Sequence, residues 1–142
     1  MGSFMLMILV FFFQQRYLGA GMEIVAEALY HQALPYDFFM KAIFTAITIG
    51  CGFKGGEIVP TFVIGSTLGY VSALLLGIDP HLGAAIGIVG MFCCVINSPL
   101  TSLMLGAEMF GIQYLTAMAI VIAFCYVLSG YFSLYQAQKI VY

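Results

Sequence analysis

Apolar residues run almost unbroken along this chain, interrupted by short polar or glycine-containing joints. The runs are Phe4–Phe13, Phe38–Phe53, Ile58–Ile78, Leu82–Ile96, Pro99–Phe110 and Tyr114–Tyr131. They are continuous rather than alternating, so they predict helices and not barrel strands, whose residues alternate between lipid and lumen. A plain membrane-crossing helix takes about 20 apolar residues. Several runs fall short of that, and most joints are only a few residues long. Short helices that begin at membrane depth imply broken or re-entrant segments. Such segments survive only where protein or a water-filled cavity surrounds their exposed backbone, and transporters use them to build ion sites near the midplane.

The joints carry helix-start chemistry. Asp37 precedes an apolar run and can cap it. Asp79-Pro80 and Ser98-Pro99 each set a capping side chain before a proline, whose missing N–H costs nothing in the first turn. Residues 20–30 follow a different pattern. Glu23 and Glu27 share one helical face beside Met22, Ile24, Val25 and Leu29, which predicts an amphipathic interfacial helix with solvated carboxylates. Gly65 and Gly69, then Gly83 and Gly87, are four apart, a spacing that lets helix backbones approach closely. Lys41, near the start of its helix, is placed to snorkel to the interface.

Composition narrows the class. Of 142 residues, 63% are hydrophobic and 7% charged, against roughly half and a quarter in a soluble domain. The chain therefore reads as a single integral membrane domain over residues 1–142, all-α and multi-pass, with the lipid bilayer as its solvent. Disorder is excluded by the same numbers. A net charge of −2 with four basic residues excludes an electrostatic nucleic-acid footprint. Cys51, Cys93, Cys94 and Cys125 lie in apolar runs without a C-x-x-C pair, so they read as reduced thiols, with no metal site and no cofactor. The amino end has neither a basic n-region nor a cleavage site, and no removable signal peptide is expected. No Ser-His-Asp or Cys-His arrangement and no phosphate loop is present, and the chain does not read as an enzyme.

The chemistry concentrates in Gly50-Cys51-Gly52-Phe53-Lys54-Gly55-Gly56-Glu57-Ile58-Val59-Pro60. Four glycines in seven residues permit backbone conformations that side chains forbid. A long apolar helix follows at once, with Pro60 in its first turn. The free N–H groups at Glu57 and Ile58 then point out of a helix N-terminus, an end that carries about half a positive charge and receives anions. A carboxylate at Glu57 competes there with an incoming anion. Burial and a nearby anion raise its pKa while the dipole lowers it, so occupancy and protonation are linked. The plainer reading makes Glu57 a helix N-terminal carboxylate with no transport role.

Gly56-Glu57-Ile58-Val59-Pro60 resembles the G-x-F-x-P anion-binding motif of the CLC chloride channels and anion/proton antiporters, with Ile58 in place of Phe. Thr48-Ile49-Gly50 precedes it and Phe62-Val63-Ile64-Gly65-Ser66-Thr67-Leu68-Gly69 follows in the family's order. Asn97-Ser98-Pro99-Leu100-Thr101-Ser102 through Glu108-Met109 resembles the A-P-L-T…E-M segment. Leu134-Tyr135-Gln136-Ala137 resembles L-Y-x-A, whose tyrosine hydroxyl helps hold the central anion. The resemblance implies one inverted repeat of a CLC-type fold, built from short, tilted and broken helices. It implies anion transport, channel-like or coupled to protons, with Gly56, Glu57, Ile58 and Tyr135 at the anion and Glu57 coupling the proton. Chloride is the family's usual ion. Glu in the motif's second place resembles the fluoride-exporting branch, whose motif reads G-E-V-T-P, with Val59 here where Thr is expected.

Complete CLC subunits hold two inverted repeats around one pore and pair as dimers. This chain resembles the C-terminal repeat alone. The motifs G-S-G-I-P and G-[KR]-E-G-P, with the anion-binding serine and the gating glutamate, are not in it. Half of the ion site is therefore expected from a missing N-terminal repeat. The alternative is a non-transporting membrane scaffold or a truncated remnant. Glu108 matches a family glutamate near a helix end and is expected to be structural.

Overall fold

The computed structural model describes Phe4, Met7, Ile8, Phe11 and residues 21–30, 34–50 and 58–130; among these there is no strand. Beyond Phe11 the helices are α1 (Met22–Tyr30), α2 (Asp37–Gly50), α3 (Ile58–Leu76), α4 (Pro80–Ile96), α5 (Pro99–Phe110) and α6 (Leu115–Ser129). A 3-10 turn, Ile112–Tyr114, leads into α6. With 14 and 12 residues, α2 and α5 are about 21 and 18 Å long, too short to cross about 30 Å of hydrocarbon. Among the described residues, Ile58–Leu76 and Ile112–Ser129 are long and apolar enough to do so.

The centre is the α3–α4 hairpin, and its turn follows from local chemistry. Gly77 takes φ +69°. Its N–H reaches the Leu74 carbonyl at 3.4 Å, and that of Ile78 reaches Ala73 at 2.9 Å. This paired closure of the last carbonyls requires a left-handed residue, hence glycine. Asp79 then caps α4 by accepting from the His81 N–H at 3.1 Å, with Pro80 in the first turn. His81 packs edge-on to Tyr70 of α3, ring centres 6.0 Å apart.

Above the turn the two helices touch backbone to backbone. A Cβ on Gly65 would stand 2.6 Å from the Gly87 carbonyl oxygen, and one on Gly69 would strike the Gly83 carbonyl oxygen. Gly83 and Gly87 are equally closed by Gly69 and Gly65. The two glycine pairs read from the sequence are thus partners of each other. In lipid, helices gain little from hiding apolar surface, so close van der Waals contact of this kind carries the association.

Helix α1 lays Ile24 and Val25 against Phe44, Val63 and Ile88, and Ala28 against Tyr70 and Ala84. Glu23 is exposed on the opposite side. On the other flank of α4, Ala85, Val89 and Cys93 pack with Met118 and Ile122 of α6. Gly106 of α5 leaves room for the Met118 sulfur, 2.7 Å from where its Cβ would be.

Candidate functional site

Helix α3 opens at Ile58, with Pro60 as its third residue. First-turn N–H groups have no acceptor inside their own helix. Pro60 carries none, so Ile58 and Val59 supply the main-chain donors of the described first turn. Two hydroxyls further along α3 are turned back onto the helix. Buried Ser66 donates to the Val63 carbonyl at 3.0 Å, and buried Thr67 donates to the same oxygen at 2.7 Å. Both hydroxyl protons are spent on their own helix.

Of the sequence-predicted site residues, Ile58 is the first residue of α3 and is half-buried. Gly56, Glu57 and Tyr135 lie outside the described residues, as do Lys54 and Cys51. Glu108 lies in the last turn of α5 and is exposed.

Two polar centres were not legible in the sequence as such. The first is at the start of α2. Lys41 is not a snorkelling interfacial lysine: it is 2% exposed, and Asp37, one turn earlier, is fully buried. Both have interaction partners, as buried charges require. The Lys41 Nζ lies 3.2 Å from where a Cβ on Gly21 would stand, and Val63 of α3 is equally close to that point. Gly21 itself has φ +73°. The chain before α1 thus folds over the ammonium group at a place only glycine fits. The sequence signal available was Asp37 and Lys41 at four-residue spacing.

The second centre joins the ends of α4, α5 and α6. Asn97 ends α4 in the left-handed conformation, φ 56° and ψ 41°, and its N–H reaches the Cys93 carbonyl. Asparagine adopts that conformation more readily than other side chains. Its Nδ2 donates to the Gly130 carbonyl at 2.8 Å, while its buried Oδ1 has no hydrogen-bond partner among the described residues. Ser129 donates to the Cys94 carbonyl at 2.8 Å. Ser98 was expected to cap α5 with its hydroxyl, and it does not. Its Oγ pairs with Thr101 Oγ1 at 2.8 Å. The Ser98 carbonyl instead receives both the N–H and the hydroxyl of Ser102.

Similarity to known proteins covers most of the chain. A family model described as voltage gated chloride channel matches residues 1–130. A protein of Pseudomonas syringae pv. tomato (strain ATCC BAA-871 / DC3000), described as a chloride/fluoride channel protein, is 35% identical over 125 residues, which is 88% of this chain and 28% of that protein. The crystal structure of a CLC-type fluoride/proton antiporter superposes with a TM-score of 0.91 at 36% identity, covering 97% of this chain and 35% of that one. The chain thus spans about a third of the length of the proteins it matches.

Proposed function

Because the chain belongs to the voltage gated chloride channel family, whose proteins are integral to membranes, we propose that it is the C-terminal repeat of a halide transporter. It carries chloride or fluoride across the cell membrane, coupled to protons through Glu57. Its anion site is built from Gly56, Glu57 and Ile58 at the mouth of α3 and from the Tyr135 hydroxyl. An N-terminal repeat supplies the other half of the site, and complete subunits pair as a homodimer. No cofactor and no enzymatic step are part of this reading.

What carries it is the glycine-rich stretch of residues 50–56 followed at once by α3, whose described part begins at Ile58 with Pro60 as its third residue. Amides at a helix N-terminus attract an anion, and glycines before one let the main chain come close. A carboxylate in the same place binds a proton more readily when a halide sits beside it, which links the two ions without a separate relay. Similarity to a chloride/fluoride channel protein and to a fluoride/proton antiporter supports the halide and the exchange mode.

The test is halide-driven proton movement in liposomes that hold this chain with an N-terminal repeat, comparing fluoride with chloride. Glu57→Gln is expected to lower proton movement per halide at least tenfold while leaving the amount of inserted protein unchanged. Undiminished coupling in Glu57→Gln contradicts the role assigned to Glu57. An equal loss of halide flux and coupling would make it an anion ligand only.

A further inference from the structure

The described thiols gather where α4 meets α6. Cys93 and Cys94 are consecutive in α4, so their side chains leave the helix about 100° apart and meet different groups. Cys93 is buried, and its thiol donates to the Ile122 carbonyl of α6 at 3.8 Å. Cys94 is only partly buried and reaches further along α6. Its Sγ is 3.8 Å from the Cys125 carbonyl oxygen.

Gly90 makes this approach possible. It sits one turn before Cys94 on the same face of α4 and has no side chain to hold α6 away. The Cys125 sulfur fills the notch, 3.3 Å from where a Cβ on Gly90 would stand, with Val121 Cγ1 at 3.0 Å. The packing of the fold thus brings two thiols from different helices to one notch of the α4–α6 seam. A disulfide needs that kind of preset closeness, since its geometry tolerates little adjustment.

We propose that Cys94 and Cys125 form an oxidation site: a dithiol that closes to a disulfide and staples α6 to α4. The oxidant is a lipid-soluble two-electron acceptor of the diazene class. Two S–H bonds break and one S–S bond forms. Two electrons and two protons pass to the N=N bond, which leaves as the hydrazine. Cys93 stays out of the reaction because its thiol is turned to the Ile122 carbonyl. The bond closes a covalent loop through α5 and adds a fixed link to a helix otherwise tied to α4 by apolar packing and a few hydrogen bonds.

The test uses the full chain in lipid vesicles treated with diamide. Free thiols are then alkylated, and the protein is digested without reductant and mapped by mass spectrometry. The expected product is a Cys94–Cys125 linked peptide as the main crosslink, removed by dithiothreitol. It persists in Cys93→Ser. In Cys125→Ser it disappears and Cys94 becomes alkylated. Chain unfolded in dodecyl sulfate is expected to show no preference among its four thiols. Cys94 and Cys125 remaining alkylatable, while an added control dithiol oxidises, would overturn the proposal. So would a main crosslink to Cys51, to Cys93 or between molecules, or the same preference in unfolded chain. The wild-type map alone decides these points should the variants not fold.

Discussion

Helix α3 and the segment Ile112–Ser129 are nearly equal in length and both strongly apolar, yet they are held in opposite ways. The chain buries 44% of the apolar window in α3 and 11% of that in 112–129. Helix α3 meets α4 through glycines, backbone against backbone. Helix α6 meets α4 through thiols and through Ser129, while Asn97 ties the residue that follows it. Its residues Phe124, Val127 and Leu128 remain exposed. An apolar composition assigns both to the membrane but says nothing about which has neighbours. Small residues mark the seam where packing holds two helices, and helix-end polar groups mark the seam where hydrogen bonds do.

That contrast is easiest to break at the glycines. Gly69→Ala drives a Cβ into the Gly83 carbonyl and to 2.9 Å from the Gly87 Cα. Neither obstacle is a side chain that can turn aside, so the helices must part, at a cost of about 3 kcal/mol or more. Unfolding in detergent micelles reads this as a large loss of stability. Gly50→Ala, at the end of α2 with nothing within 4 Å, is expected to be neutral or to gain about 0.5 kcal/mol. Similar losses at both positions would mean that the seam is not what makes Gly69 necessary.

The polar seam is expected to give smaller effects. Asn97→Ala loses the bond to Gly130 and puts alanine in a left-handed backbone, together costing about 2 kcal/mol. Asn97→Gly keeps the backbone relaxed and should recover about half of that. Ser129→Ala loses one hydrogen bond to the Cys94 carbonyl, worth about 0.6 kcal/mol at a helix contact in a membrane. Least of all, Phe124→Ala and Val127→Ala should stay within about 0.5 kcal/mol, because both side chains are exposed. A larger loss from either in the isolated chain would mean that this face of α6 packs against protein.

Much of the fold was legible because its punctuation is local. Asp79-Pro80 and Ser98-Pro99 mark the starts of α4 and α5, and Pro60 marks the first turn of α3. These are rules about neighbouring residues, and one sequence contains them. Partnership is not local: the spacing of Gly65 and Gly69 announces close packing without naming Gly83 and Gly87. Lys41 looked like an interfacial lysine because its spacing from Asp37 cannot say whether α1 covers it. Ser98 looked like a cap because the competing Thr101 hydroxyl is visible only in three dimensions. Of the site read from the motif, Ile58 falls among the described residues, at the head of α3, while Gly56, Glu57 and Tyr135 lie outside them.

The central claim is that the mouth of α3 is half of a halide site, completed by a second repeat. The most direct measurement is selective fluoride and chloride flux from liposomes, with this chain alone and with an N-terminal repeat added. No selective flux is expected from the chain alone, and halide-selective flux is expected once the second repeat is present. Robust selective flux from the chain alone, or none from the pair when both are inserted and folded, would contradict the claim.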